Sequence, residues 1–440
     1  MSSLDGLPTA DPAALGFDPD RLSQIGTRID AAVAAGDLPG AVTIVMRHGH
    51  VVHAHAAGRL DVERDAPLGM DSLFRMYSQT KPVAAVVLMS LYEDDAFELN
   101  DPVSRWIPEF GNRLVAMETP PHDRLRGAFP PMNAEPARRD IMIMDLMTMT
   151  SGLPAIGKLP AAYYPMLVRS SQGTGFMPGD TLINDPPRSY EEMVLAIADM
   201  PLYAHPGDRW NYGSDFDVLS LFLTRLTGKN LDELFRERVF DPLGMDDSGF
   251  YCDDADQGRL VTDHTWDAEG NLITRDRPET AEKVRSRSRD LRSGNGLFGG
   301  MLTTPPDYAR FAQMLLNGGE LDGVRILGRK TVELMTSDHL GDREIDLLPV
   351  PNYGFGLGYA VRKSVERSFY PGSPGTFGWG GAAGTWFFVD PVEDLVGCFF
   401  NHVFLYGNRP GGMAAITRRF MRWTYQALAG LRFRRPPGRR

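Results

Sequence analysis

Ser78 and Lys81 form a short motif that could carry out nucleophilic chemistry. They lie in the run Ser78-Gln79-Thr80-Lys81, at the start of an apolar helix predicted from Pro82 to Tyr92. Side chains three residues apart share one face of a helix, so both would point into the same cavity. Free N–H groups and the helix dipole also favour a developing negative charge there. The spacing predicts a serine nucleophile with a lysine base, although a helix cap followed by a solvated lysine fits it equally well.

A second candidate lies in the run Pro206-Gly207-Asp208-Arg209-Trp210-Asn211-Tyr212-Gly213-Ser214, before a helix predicted from Asp215. The Pro-Gly pair favours a turn, which places Tyr212 at a loop-to-helix junction, a common position for catalytic groups. A tyrosine hydroxyl beside a lysine can take and return a proton during acyl transfer. By itself the pattern favours a half-buried tyrosine that packs at the start of a helix.

A third candidate is the run Phe377-Gly378-Trp379-Gly380-Gly381-Ala382-Ala383-Gly384, which leads into a strand predicted from Thr385. Small residues allow a backbone to approach a ligand closely. An edge strand that opens here could donate one N–H to an oxyanion. Taken alone, the run favours a glycine-rich loop before a hairpin.

Composition excludes several classes of protein. The chain has 440 residues, 42% of them hydrophobic and 23% charged, which is typical of a globular protein with about two or three domain-sized units. A net charge of −11 argues against a nucleic-acid partner. The sequence contains no run of about 18 apolar residues, so no membrane span is predicted. The N-terminal residues do not resemble a signal peptide, and we therefore expect a cytoplasmic protein. Two cysteines predict buried thiols and no disulfide framework.

Four nearby histidines invite a metal site, but no carboxylate or cysteine follows them closely in the sequence, and we predict no metal and no cofactor. These histidines are His48, His50, His53 and His55.

Hydrophobic periodicity predicts the order of the elements. Helices are expected at 19–35, 140–149, 189–199, 215–227, 230–239, 305–316, 330–335 and 414–428. Strands are expected at 41–46, 51–56, 355–362, 385–390 and 395–401, whereas 250–296 is polar and irregular. This order predicts an antiparallel sheet assembled from both chain ends and flanked by helices, with an all-helical domain inserted. The predicted boundaries are 1–100 and 290–440 for the α/β domain and 101–289 for the helical domain.

Together, the three motifs resemble those of serine hydrolases similar to class C β-lactamases. This family includes penicillin-binding DD-peptidases and the family VIII esterases. The resemblance covers about residues 20 to 425 and includes Thr150-Ser151-Gly152-Leu153, Gly296–Tyr308 and Leu315–Arg325. The run Trp379–Trp386, followed by Val389-Asp390-Pro391, is similar to the esterase branch.

The resemblance implies a β-lactamase/transpeptidase-like fold of the α/β (α+β) class, with the active site at the junction of its two domains. It implies that Ser78 is the nucleophile, Lys81 the base and Tyr212 the third catalytic residue. It also implies an oxyanion hole made by the backbone N–H groups of Ser78 and Ala382.

Two departures bear on the substrate. Ser214 stands where the lactamases have the asparagine of Tyr-x-Asn, and Trp379-Gly380-Gly381 stands where they have Lys-Thr-Gly. The missing lysine would face a β-lactam carboxylate, and the missing asparagine would hold an acylamino side chain. Both departures argue against β-lactam and D-Ala-D-Ala substrates and leave acyl transfer intact.

We therefore expect a serine esterase that acts on small carboxylic esters. The alternatives are a β-lactamase or DD-peptidase, an acyltransferase or amidase that uses the same site, and a catalytically silent scaffold. The absence of Gly-x-Ser-x-Gly argues against an α/β-hydrolase. Neither a membrane partner nor an oligomeric state is predicted. The expected substrate-binding residues, some of which fit an ordinary core equally well, are Trp379, Gly380, Gly381, Ser214, Trp210, Tyr164 and Phe176.

Overall fold

The computed structural model describes residues 4, 6–116, 134–154, 190–277, 300–345, 352–366, 368–404 and 413–429. Within these ranges the helices are α1 Pro19–Ala34, α2 Thr80–Glu93, α3 Ile143–Met147, α4 Tyr190–Ala198, α5 Asp215–Thr227, α6 Leu231–Phe235, α7 Asp241–Leu243, α8 Pro305–Leu316, α9 Arg329–Met335 and α10 Met413–Ala427. None of them is long and apolar enough to cross a membrane.

Most of the strands in these ranges are short. They are β1 Gly40–Arg47, β2 His50–Gly58, β3 Phe74–Arg75, β4 Leu114–Ala116, β5 Ala134–Pro136, β6 Asp263–Trp266, β7 Leu272–Asp276, β8 Leu302–Thr303, β9 Glu320–Leu321, β10 Val324–Arg325, β11 Tyr353–Phe355, β12 Ala360–Arg362, β13 Phe377–Gly380, β14 Trp386–Asp390 and β15 Leu395–Phe400.

The main sheet joins the two ends of the chain. It has seven strands in the order β11-β12-β13-β14-β15-β1-β2, and all neighbours are antiparallel. The pair β1–β15 makes the junction, with a register that runs from Val42 opposite Phe400 to Arg47 opposite Leu395. This arrangement confirms the predicted sheet built from both chain ends.

Both faces of this sheet are covered by helices. Neighbouring residues along a strand point to opposite sides, so each strand contributes to both hydrophobic clusters. In β15, Phe399 packs into a cluster with residues of α1 and α10, whereas Phe400 packs into the larger core on the other side. In β14, Phe388 and Phe387 divide in the same way. The larger core includes α8 and α2, so the helix that begins beside Ser78 lies inside the protein.

The helices that carry the motifs are buried around most of their circumference. Every residue of α2 from Thr80 to Leu91 is buried, and so is every residue of α5 from Asp215 to Leu223. A helix that is apolar all round belongs in a core rather than on a surface. Both helices are therefore rigid supports for whatever lies at their N-terminal ends. The domain boundaries given above stay a prediction.

Three predicted stretches were wrong in detail. The single strand expected at 355–362 is two strands, Tyr353–Phe355 and Ala360–Arg362, separated by a turn at Gly358 with φ of +92°. The expected glycine-rich loop contains strand β13, Phe377–Gly380, and the irregular region 250–296 contains the hairpin β6–β7. In each case hydrogen bonds to a neighbouring strand override weak local preferences.

Candidate active site

Ser78 lies in a short 3₁₀ turn, Tyr77–Gln79, that runs directly into α2. Its side chain is half-buried. The turn is fixed from both sides, since β3 pairs with β8 just before it and α2 begins just after it. The predicted placement of the serine at the start of a buried helix agrees with the structure.

The Tyr212 hydroxyl donates a hydrogen bond of 2.5 Å to Ser78 Oγ. Tyr212 is half-buried and lies three residues before α5, whose N-cap residue is Ser214. The two hydroxyl groups come from segments 134 residues apart in sequence. The structure thus brings together two of the three residues that the motifs single out for catalysis, at a distance that permits direct proton transfer.

Lys81 is fully buried beside the same pair. Its Nζ lies 5.1 Å from the centre of the Tyr212 ring and 6.0 Å from the centre of the Phe216 ring. No described residue forms a hydrogen bond with this nitrogen. The Lys81 amine is thus packed against aromatic rings beside the Ser78–Tyr212 pair.

The end of β13 lies against the segment that carries the serine. A Cβ placed on Gly381 would be 2.4 Å from the carbonyl oxygen of Met76, two residues before Ser78. The glycine is thus required by the backbone of the nucleophile segment itself. The predicted close approach is present, but the partner in the structure is protein backbone.

A tight turn follows Gly381. The Gly381 N–H donates to Thr385 O at 2.9 Å, the Gly384 N–H donates to Gly381 O at 3.0 Å, and the Ala383 carbonyl accepts from Val403. Among the described residues, nothing accepts the Ala382 N–H in these hydrogen bonds. Ala382 therefore has a backbone donor that this turn does not use, next to Gly381, which approaches the Met76 carbonyl.

Tyr212 and three other aromatic rings form a cluster. Ring centres are 5.6 Å apart for Tyr212 and Trp379, 6.1 Å for Tyr212 and Trp210, and 5.3 Å for Phe355 and Trp379. Trp210 and Trp379 are each only 3% exposed. Both indoles thus fix the tyrosine ring, and neither stands as an open wall of a cleft.

The structure describes two of the remaining predicted binding residues, Ser214 and Gly380. Ser214 is buried, and its hydroxyl group forms no hydrogen bond with a described residue. Gly380 ends β13, where a Cβ would meet the Trp386 ring at 2.6 Å. Tyr164 and Phe176 lie outside the described residues. The assignment of roles to all of these residues stays a prediction.

The motifs did not reveal the segment that holds the Tyr212 loop. Ser151 Oγ donates to the buried Asp215 carboxylate at 2.5 Å, and Asn211 Nδ2 donates to Leu153 O at 2.6 Å. Burial raises the pKa of Asp215 to about 7, although the Ser151 hydrogen bond opposes the rise. Asp215 at the start of α5 and the run Thr150–Leu153 were the available clues, but Ser151 and Asp215 lie 64 residues apart.

A serine at the start of a buried helix, an antiparallel sheet and a tyrosine beside that serine are features of serine hydrolases of the β-lactamase and penicillin-binding type. The chain belongs to the family described as Beta-lactamase, which it matches over residues 25–426. The resemblance found in the motifs is thereby confirmed. The protein is a serine hydrolase with the β-lactamase/transpeptidase-like fold.

Three similar proteins extend this result. Protein Rv1367c of Mycobacterium tuberculosis is 34% identical over 374 residues, which cover 82% of this chain and 85% of that protein. Esterase EstB of Burkholderia gladioli is 29% identical over 401 residues, with coverage of 88% and 91%. The solved structure of EstCE1, a hydrolase with promiscuous acyltransferase activity, matches with a TM-score of 0.71 at 25% identity and covers 94% of this chain and 99% of that one.

The contact between Gly381 and Met76 generates a first prediction. In Gly381→Ala the new methyl group would overlap the Met76 carbonyl and the Thr385 hydroxyl, each 2.4 Å away. The backbone before Ser78 must then shift, and we expect a loss of about 1–3 kcal/mol in the free energy of unfolding. Labelling of Ser78 by a fluorophosphonate should also slow by at least about tenfold.

Gly258→Ala is the matched control, because a Cβ at Gly258 has no neighbour within 4 Å. Denaturant unfolding and labelling rates should stay at wild-type values in this variant. Wild-type labelling in Gly381→Ala would show that the close approach does not position the serine.

The buried Asp215 generates a second prediction. Its pKa rises from 3.8 to about 7, so between these values the folded state holds a proton that the unfolded state has lost. Stability should therefore fall as the pH rises from about 4 to about 7, by up to about 4 kcal/mol. Asp215→Asn cannot ionise, so the difference in unfolding free energy between wild type and this variant should change across that window.

Urea unfolding at closely spaced pH values measures this difference. Asp71→Asn, at an exposed carboxylate, serves as the control. Parallel curves for wild type and Asp215→Asn from pH 4 to 8 would contradict the raised pKa.

Proposed function

We propose that this protein hydrolyses small carboxylic esters through an acyl-enzyme on Ser78, with Lys81 and Tyr212 as the proton-transfer groups. The observation that carries the proposal is the 2.5 Å hydrogen bond between the Tyr212 hydroxyl and Ser78 Oγ, with the buried Lys81 amine beside it. No cofactor takes part in these steps. Similarity to Esterase EstB and to EstCE1 supports an ester as the substrate.

In the first half of the reaction Lys81, in its neutral form, takes the proton of Ser78. Ser78 Oγ attacks the ester carbonyl, and the backbone N–H groups of Ser78 and Ala382 stabilise the oxyanion. Tyr212 then gives a proton to the departing alkoxide, and the alcohol leaves. The acyl group is now bonded to Ser78 Oγ.

In the second half a water molecule takes the place of the alcohol. Tyr212, which has given up its proton, accepts one from this water as the water attacks the acyl carbon. The tetrahedral intermediate collapses, the carboxylic acid leaves, and Ser78 Oγ regains its proton from Lys81. Every proton that is taken in one half is returned in the other.

The surroundings of Tyr212 favour apolar substrate groups over anionic ones. Trp210 and Trp379 pack against this residue, Phe355 packs against both indoles, and Trp379 stands at the place of the lactamase lysine. An indole carries no positive charge, so it cannot form an ion pair with a β-lactam carboxylate as a lysine would. Ser214 is buried, and its side chain is shorter than that of asparagine and has no amide to offer to an acylamino group.

Acyl transfer to an alcohol is a second candidate activity. The acyl-enzyme is the same, and only the acceptor differs. Similarity to EstCE1, whose description includes promiscuous acyltransferase activity, favours it. Adding a primary alcohol to the assay and measuring new ester beside free acid separates hydrolysis from transfer.

Removing the nucleophile gives the direct test. Ser78→Ala should lower kcat for p-nitrophenyl butyrate by on the order of 10³-fold or more, because Lys81 and Tyr212 would have no serine hydroxyl to activate. Ser90→Ala, which removes a buried hydroxyl group in α2, the helix that follows Ser78, should keep wild-type turnover. More than a tenth of wild-type turnover in Ser78→Ala would overturn the assignment, and absence of esterase activity in wild type would favour a silent scaffold.

Substrate preference gives a further prediction. The missing cation at position 379 removes a contact worth about 1.5–3 kcal/mol, or roughly ten- to a hundredfold in binding. We expect kcat/KM for nitrocefin to be below that for p-nitrophenyl butyrate by at least this factor. Equal or higher values for nitrocefin would favour a β-lactamase or DD-peptidase.

A further inference from the structure

Tyr77, the residue directly before Ser78, has an unusual backbone conformation. Its φ is +46°, in the left-handed region where a side chain crowds the backbone. Glycine, asparagine and aspartate are the residues that normally adopt it. A tyrosine keeps such a conformation only where its surroundings hold it, and such sites cluster where geometry serves function.

Gly300 and Met301 hold the Tyr77 backbone. A Cβ on Gly300 would lie 2.7 Å from Tyr77 O and 2.9 Å from Tyr77 N, so this glycine is packed directly against the peptide. Met301 O accepts from Met76 N at 2.9 Å, and Met301 N donates to Thr80 Oγ1 at 2.9 Å. Hydrogen bonds thus fasten the chain immediately before and after Ser78.

The side chain of Tyr77 is held by an ion pair. The Tyr77 hydroxyl donates to Asp263 Oδ2 at 2.7 Å, and Arg275 Nη1 donates to the same oxygen at 2.5 Å. Arg275 Nη1 is also 3.2 Å from the Tyr77 hydroxyl, and its guanidinium lies 4.0 Å from the centre of the Phe404 ring. Asp263 is 1% exposed, so water cannot readily replace these partners.

The hairpin β6–β7 supplies both members of the ion pair. Its pairing register shifts between Asp263 and His264, so that Asp263 lies opposite Asp276 and His264 opposite Thr274. Irregularities of this kind redirect side chains and are common beside active sites. The irregularity falls at the residue that reaches Tyr77.

We propose that Asp263 is a positioning residue, which acts with Arg275 to hold Tyr77 and so fixes the turn that presents Ser78 Oγ to Tyr212. The inference rests on the proposed role of Ser78 and extends it. The ion pair touches the residue next to the nucleophile and not the nucleophile itself, so its effect on the reaction is geometric.

The titration of Tyr77 agrees with this role. Burial raises the pKa of Tyr77, and the Asp263 carboxylate raises it further, whereas the nearby Arg275 and Arg75 lower it. The pKa stays above its ordinary value, so Tyr77 keeps its proton and serves as a donor to Asp263. It is not a second base.

Two variants test the proposal, and one control matches them. Tyr77→Phe removes only the hydroxyl group, and Asp263→Asn keeps the shape but removes the charge. Tyr425→Phe is the control, because the Tyr425 hydroxyl donates to Asp390 at the same 2.7 Å, in a part-buried pair on the face of the sheet covered by α10. Each protein is assayed for kcat and KM with p-nitrophenyl butyrate, for unfolding free energy, and for the rate and position of fluorophosphonate labelling.

We expect labelling at Ser78 and kcat to fall by about tenfold or more in Tyr77→Phe and in Asp263→Asn, since small displacements of a nucleophile are costly. KM and the inflections of the pH profile should stay at wild-type values, because no titrating catalytic group is lost. The double variant should be no worse than the poorer single one, since both act through one contact. Tyr425→Phe should lose stability without losing activity.

Labelling of folded Tyr77→Phe at the wild-type rate would overturn the inference, and so would an equal loss of activity in Tyr425→Phe. A shifted pH profile would also overturn it, by showing an acid–base role. If Tyr77→Phe does not fold, Asp263→Asn decides by the same measurements, and if neither variant folds, the ion pair is a folding element and the inference is wrong. Failure of wild type to be labelled at Ser78 would instead overturn the proposed function.

Discussion

Close contact between backbones around Ser78 is the constraint on which the site depends. The segment Met76–Ser78 passes so near to Gly381 and Gly300 that neither position has room for a Cβ. Hydrogen bonds cannot enforce such contact alone, since they tolerate larger separations. A close-packed interior does enforce it, and α2, which is buried from Thr80 to Leu91, provides that interior immediately after the serine. The position of Ser78 is therefore a consequence of core packing.

Tyr212 reaches Ser78 from the other side by a similar route. Its loop is fixed at one end by α5, which is buried in the same core, and along its length by hydrogen bonds to Met149–Leu153. The rings of Trp210 and Trp379 limit the orientation of its ring. Two buried helices thus bring two hydroxyl groups within 2.5 Å of each other without any direct connection between them in sequence.

Three ionisable side chains are buried near the Ser78–Tyr212 pair or the segments that hold it. Lys81 is buried against aromatic rings, Asp215 against Ser151, and Asp263 against Arg275 and Tyr77. Asp215 and Asp263 accept hydrogen bonds from neighbouring side chains, whereas Lys81 has no hydrogen-bond partner among the described residues. Buried charges carry a large desolvation cost, so the hydrogen-bond partners of Asp215 and Asp263 are needed to keep these carboxylates inside the protein.

The sequence by itself predicted the sheet from both chain ends, the helices that begin near Ser78 and Tyr212, and the order of the three motifs. Periodicity and local spacing are properties of neighbouring residues, which explains why they were accessible. The hairpin β6–β7, strand β13 and the partners of Asp215 and Tyr77 were not accessible, because each depends on contacts between segments tens to hundreds of residues apart. Only tertiary packing decides which distant backbone approaches a glycine, and which buried carboxylate meets a hydroxyl group.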